Sequence, residues 1–209
     1  MIPYSRPDID LSDIKAVVKT LKSQFITQGQ NIENFEKKVS TYTNSKFSLA
    51  VNSATSALHI ACLSLGLKKN DYLWTVPNSF VASANCALYC GAKIDFVDIN
   101  IENYNISIES LEAKLKIAKK KRKLPKIIVP VHLGGQPTAQ EKIWKLSKKY
   151  KFKIIEDASH SIGATRNNEK VGSCKWSDIT IFSFHAVKII TSAEGGMALT
   201  NNKLLYNKR

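Results

Sequence analysis

The chain contains no run of the roughly 20 apolar residues that a helix needs to cross a bilayer. Its opening residues, Met1-Ile2-Pro3-Tyr4-Ser5-Arg6-Pro7, lack the basic start and apolar stretch of a secretory signal. These two absences give the expectation of a cytoplasmic protein with no membrane partner. Cysteine is scarce: Cys62, Cys86, Cys90 and Cys174 are the only four, and they fit that compartment as reduced thiols. Cys86 and Cys90 stand four apart in a predicted helix, but His132 is remote and no second Cys pair follows. Two small buried hydrophobes are therefore preferred to a zinc site, and no metal is expected. A G-x-G-x-x-G turn and a Walker A pattern are both missing, which argues against a dinucleotide or ATP site. There is no internal repeat and no low-complexity linker.

Acidic residues are outnumbered, 17 against 31 basic, and the formal net charge is +14. Nucleic acid or a phosphorylated ligand would suit such a surplus. The lysines are scattered, however. The one dense run, Lys119-Lys120-Lys121-Arg122-Lys123, ends a predicted helix, where it complements the dipole ahead of a loop at Pro125. No aromatic residues interleave with it to stack bases, so it reads as a solvated face and no nucleic-acid partner is expected.

What the chain does have is alternation. Apolar spacing predicts helices over about Leu11 to Lys22, with Ile14, Val17, Val18 and Leu21 on one face and Asp10 or Ser12 as cap, and over about Ile32 to Tyr42. A strand (Phe47 to Val51), a helix (Thr55 to Leu65) and a strand (Tyr72 to Val76) follow. Next come a helix from Phe80 to Cys90 ending at Gly91, a strand from Lys93 to Val97, and a helix carrying Ile108, Leu111, Leu115 and Ala118. Lys126 to Val131 reads as a strand buried on both faces. A helix (Glu141 to Tyr150) and strands at Phe152 to Ile155, Ile179 to Ser183 and Met197 to Thr200 close the series. About seven strands with helices between most of them predict a three-layer α/β/α domain. In such sheets ligands bind beyond the carboxyl ends of the strands.

Three segments at those ends carry chemistry. After Val51, Asn52-Ser53-Ala54-Thr55-Ser56 opens a helix whose free amides and dipole could seat a phosphate; alone, the segment reads more readily as a plain N-cap. After Ile155, Glu156-Asp157 places a carboxylate either in a site or at a helix cap, and His160 alone reads as a structural histidine. After Phe182, Lys188 lies among Val187, Ile189 and Ile190 ahead of Gly195-Gly196. An apolar setting of that kind lowers a lysine pKa and frees a nucleophilic amine, although a lysine snorkelling to the surface is the commoner case. A phosphate seat, a carboxylate and a lysine together are the parts that pyridoxal phosphate needs.

The segments VNSATSALHIACLSLGL (51–67), VPNSFVASANCALYCGAKIDFVDI (76–99), VPVHLGGQP (129–137), IIEDASHSIGA (154–164) and SDITIFSFHAVKIITSAEGGMALT (177–200) make the chain resemble the DegT–DnrJ type of sugar aminotransferases, members of the fold-type I class of pyridoxal-phosphate enzymes. The resemblance runs from Pro3 to Asn202. It implies pyridoxal 5'-phosphate as cofactor, with Lys188 as the Schiff-base lysine that then shuttles a proton, and Asp157 as the partner of the pyridine nitrogen. It also implies Ala54, Thr55 and Ser183 on the phosphate, Phe80 stacked on the ring and His160 near the phenolic oxygen. The implied reaction moves an amino group from glutamate to C4 of a nucleotide-linked 4-keto-6-deoxy sugar, as in building surface glycans such as pseudaminic acid. The family works as a homodimer. Its members are longer, so residues 1–209 are expected to be an incomplete cofactor-binding large domain, with 1–45 as an N-terminal helical segment and the C-terminal small domain missing. Two readings then compete: an enzyme, alone or with a complementing second half, or a fragment that at most binds cofactor or pairs with a subunit. Ala186 stands where the family has proline, which loosens the turn before the lysine. Ala193 stands where it has glycine, which is tolerable unless that position needs a positive φ.

Overall fold

The alternation of side chains along the apolar strands decides which layer each one meets. In the computed structural model, residues 1–208 are described. Strands are β1 (Phe47–Val51), β2 (Tyr72–Thr75), β3 (Lys93–Phe96), β4 (Ile127–Ile128), β5 (Lys153–Asp157), β6 (Thr165–Arg166), β7 (Glu169–Lys170), β8 (Ile179–Ser183) and β9 (Gly196–Thr200). All but β6 and β7 form one seven-stranded sheet in the order β1-β9-β8-β5-β4-β2-β3. Pairing is parallel from β8 across to β3, while β9 runs antiparallel to both its neighbours.

The helices are α1 (Leu11–Leu21), α2 (Gln30–Thr43), α3 (Ala54–Ser64), α4 (Ala82–Tyr89), α5 (Ile108–Lys120), α6 (Gln140–Tyr150) and α7 (Lys203–Tyr206). Ile127, Val129, Ile155, Ile179 and Ile181 turn to one face and pack on Leu58, Ala61 and Cys62 of α3 and on Cys86 and Ala87 of α4. Their neighbours in the strands, Trp74, Ile128 and Ile154, turn the other way onto Leu111 and Leu115 of α5 and Ile143 and Leu146 of α6. Each such leucine or isoleucine contributes about 1.5–3 kcal/mol by leaving water. The period of two thus builds the expected three layers. A third cluster joins Phe182, Phe184, Met197 and Leu199 to Val39 and Phe35 of α2. Among the described residues no helix is long and apolar enough to cross a membrane.

Three differences from the sequence reading have physical causes. The strand expected over 126–131 pairs as a ladder only at Ile127–Ile128, because Pro130 has no N–H to give; Val131 still bridges to Asp157. β5 runs two residues past Ile155, so Glu156 and Asp157 lie within the strand and cap no helix. The hairpin β6–β7 was not anticipated. It turns on Asn167 and Asn168, whose φ values of 49° and 60° suit asparagine in a tight hairpin.

At the N-terminus Asp10 is the cap. It accepts from the Ser12 and Asp13 amides, and Asp13 reaches back to the Asp10 amide. The apolar face of α1 forms as expected, yet Ile14, Val17, Val18 and Leu21 are all exposed and the helix buries none of its residues.

Candidate active site

At the carboxyl ends of the parallel strands lies a cavity of about 580 Å³. Ala54, Thr55, Phe80, Asp157, His160, Ser183 and Lys188, drawn from four separate stretches of sequence, all line it. Tyr4, Ser79, Ser159, His185 and Glu194, which sequence reasoning did not single out, line it too.

The floor is the start of α3. Ser53 has an extended backbone; its hydroxyl accepts from the Ser56 amide at 3.1 Å and its carbonyl takes the Ala57 amide at 3.0 Å. The amides of Ala54 and Thr55 precede the first intrahelical bond and are left for a ligand, at the positive end of the helix dipole. Ser183, buried at the end of β8, adds a second hydroxyl to the lining of the same cavity. β9 approaches this turn so closely that a β-carbon on Gly196 would lie 2.5 Å from the Ser53 carbonyl oxygen and closer still to Ala54 N. Only glycine fits there, and a reading that saw Gly195-Gly196 as a turn missed this contact.

β5 presents two carboxylates to opposite layers. Asp157 shares the parity of Ile155 and faces α4: its Oδ2 accepts from Ser83 Oγ at 2.6 Å. Its Oδ1 accepts from Ser159 Oγ at 2.6 Å and from the Ser159 amide at 3.2 Å. Ser159, two residues on, was missed although its proximity could have revealed it; Ser83, 74 positions away, had no local signal.

Glu156 points into the layer of Ile154. Its Oε1 takes His132 Nε2 at 2.7 Å, and its Oε2 takes Thr180 Oγ1 at 2.6 Å and Ser177 Oγ at 3.1 Å. His132 Nδ1 accepts the Thr138 amide at 3.0 Å, which puts the ring proton on Nε2. Burial alone would raise the Glu156 carboxyl, but the bonds from His132, Thr180 and Ser177 outweigh it and hold it below the usual carboxylate range. A carboxyl depressed in the folded state stabilises fully above its unfolded value, and that contribution is lost as pH falls through the folded one. Glu156→Gln is therefore expected to cost about 2 kcal/mol at neutral pH and to lose less further stability on acidification than the parent. Denaturant unfolding of both proteins from pH 7 downward is the check; parallel acid limbs would contradict it.

Lys188 stands in the loop after β8, its amide bonded to the His185 carbonyl at 2.9 Å. Its ammonium makes no hydrogen bond or ion pair among the described residues. Burial pushes it below an ordinary lysine, against the opposing pull of Asp157. His160 is lowered by burial and then by the Lys188 charge, over the pull of Asp157, which favours the neutral imidazole. The mutual influence of these three groups marks one electrostatic neighbourhood. Phe80 precedes α4, which starts at Ala82 and not at Phe80 as expected; the ring stays 72% exposed at the rim.

The loop returns to β9 through Ala193, whose φ is 65°. The position does need a left-handed backbone, so alanine here carries strain that glycine would not. Ala193→Gly should raise the unfolding free energy by about 0.5–1 kcal/mol, the strain relieved less the added flexibility of the unfolded chain. A lower melting temperature would refute it.

A model of the DegT/DnrJ/EryC1/StrS aminotransferase family matches residues 7–209. UDP-4-amino-4,6-dideoxy-N-acetyl-beta-L-altrosamine transaminase of Campylobacter jejuni (strain 81-176) is 44% identical over 208 residues, 100% of this chain and 54% of the relative. Among solved structures, Helicobacter pylori PseC, an aminotransferase in pseudaminic acid biosynthesis, superposes with a TM-score of 0.88 at 36% identity, over 99% of this chain and 54% of that one. A Streptococcus pneumoniae protein in its PMP-form gives a TM-score of 0.89 at 29% identity, over 100% and 55%. The chain spans about half the length of the curated relatives it matches.

Proposed function

The chain belongs to the DegT/DnrJ/EryC1/StrS aminotransferase family, and from that premise we propose that its cavity binds pyridoxal 5'-phosphate and serves amino transfer to a sugar. One observation carries the reading: an unpaired amine, a triply hydrogen-bonded carboxylate and a helix start with two free amides line one cavity. The residues fit the cofactor. Ala54 and Thr55, with the Thr55 and Ser183 hydroxyls, would hold its phosphate. Asp157, an acceptor only when ionised, would take the N–H of the ring nitrogen and keep the proton there. Phe80 would cover the ring face and exclude water. Neutral His160 would be the partner of the phenolic oxygen.

When bound, the cofactor supplies an electron sink and carries the amino group between donor and acceptor. The chain's part is to aim it and to move protons. Lys188, its amine made more available by burial, would hold the cofactor covalently and then remove and return the proton at the substrate carbon. Glutamate is the proposed donor, and a nucleotide-linked 4-keto-6-deoxy sugar, aminated at C4, the proposed acceptor. The name of the Campylobacter relative supports the sugar class. We extend the proposal to a homodimer, or a pairing with a complementing second half, as the working assembly.

The test is an absorbance spectrum of the purified chain with pyridoxal phosphate, before and after borohydride reduction, followed by peptide mapping. A yellow band that reduction fixes on the peptide of Lys188 is expected. No band, or label spread over surface lysines, would overturn the reading in favour of a chain that does not build the site.

A further inference from the structure

We propose that Ser83 is a positioning residue for Asp157, the inner link of a directional hydroxyl chain running from the cavity through Ser79 and Ser83 to the carboxylate. The proposal rests on the cofactor reading above and deepens it. Ser83 is the second residue of α4 and is fully buried. Its Oγ lies 2.6 Å from Asp157 Oδ2, the short spacing of a hydroxyl donating to a charged oxygen.

Direction follows from counting protons. An ionised carboxylate only accepts, so the Ser83 proton points to Asp157. A hydroxyl has one proton, so the 2.9 Å contact between Ser79 and Ser83 must have Ser79 as donor. Ser79 lines the cavity, so the chain begins at the cavity wall and ends on Asp157. The other carboxylate oxygen is held separately by Ser159, from the segment that follows β5.

Asp157 is therefore clamped from two independent elements. Ser159 moves with β5; Ser83 moves with α4. Both must be in place to stop rotation about the bond between Cβ and the carboxyl carbon and to present the carboxylate in one orientation. Remove Ser83, and a buried charged oxygen loses the hydroxyl that donates to it at 2.6 Å. The effect should be felt only by a ligand that uses the carboxylate.

That selectivity is the test. Equilibrium binding is measured for pyridoxamine phosphate, which forms no bond to Lys188, and for its analogue with carbon in place of the ring nitrogen. Ser83→Ala should weaken pyridoxamine phosphate about tenfold or more and leave the carbon analogue unchanged, as expected when a charged acceptor loses one hydrogen bond. Ser83→Thr, which returns the hydroxyl, should restore the difference. Ser83→Cys keeps the volume with a weak donor, should show the same selective loss, and guards against misfolding of the alanine variant. Equal loss for both ligands, or no loss for either, would overturn the proposal. A parent chain that does not prefer pyridoxamine phosphate over the carbon analogue would instead remove Asp157 as the ring partner, and the proposal would fall with that reading.

Discussion

Lys188→Ala is expected to leave no cofactor that borohydride can fix to the chain and no yellow band. The prediction rests on what distinguishes this lysine from the others. It lines the cavity, its ammonium has no partner among the described residues, and burial lowers it below an ordinary lysine. Lys126, Lys149 and Lys153 are instead occupied in ion pairs with Asp71, Glu112 and Asp178. Because a lowered pKa leaves more neutral amine at any pH below it, attachment in the parent should persist to lower pH than that of an exposed lysine. Any transamination the chain supports should drop by a factor of at least about 10³ in the variant, since both covalent attachment and proton transfer depend on one group. Melting should barely change, because no hydrogen bond or ion pair is lost. An undiminished, reducible band in the variant would assign the chemistry to another lysine.

Gly196→Ala should produce a large structural effect, because its added methyl meets backbone closer than at the other glycines. The added carbon would run into three atoms of one peptide unit, Ser53 C, Ser53 O and Ala54 N, and that backbone cannot rotate away. Either β9 leaves its register with β1 and β8 or the start of α3 shifts, and both dismantle the anion seat. A cost near 3 kcal/mol, the upper part of the overpacking range, corresponds to a melting temperature lower by roughly 10 °C. Affinity for pyridoxal phosphate should fall as well. Gly195→Ala is the control: its added carbon meets mainly the Ser192 hydroxyl and the Phe184 side chain, which can yield. If the two variants melt alike, close approach of backbone is not what Gly196 provides.

How much of this was visible in the residues depends on the range of the interaction. Strand β1 and strand β8 fall at the bounds that alternating and continuous apolar runs predict, because burial on the sheet is written in their own side chains. α3 opens one residue early, at Ala54, since Ser53 proves to be the cap. The ends of β4 and β5 were misjudged where a proline and a carboxylate each had to be weighed against partners on another strand. Glu156 and Asp157 are adjacent and chemically alike, yet one serves the cavity and the other a buried network with His132; only the parity of β5 separates them. The turn at Ala54 and Thr55, Asp157 and Lys188 stood out at strand ends, which a parallel sheet gathers without further instruction, whereas Ser183, Phe80 and the place of His160 came from the resemblance to the family. Ser83 and Gly196 could not be found that way. Their roles are set by what packs against them across the fold.

The placement of β9 between β1 and β8 leaves the first strand of the sheet dependent on the last. Among the described residues β1 is an edge strand that pairs with β9 alone, Val51 with Gly196 and Phe47 with Thr200. On a ribosome, β1 emerges early and must wait for residues 196–200 while β2, β4, β5 and β8 can already associate. For that interval the nascent chain carries an unpaired β-strand, open to capture by a second chain or a chaperone. Gly196 of β9 packs against the Ser53–Ala54 turn, so bound cofactor is expected to stabilise the sheet with β9 docked more than the intermediates that precede it.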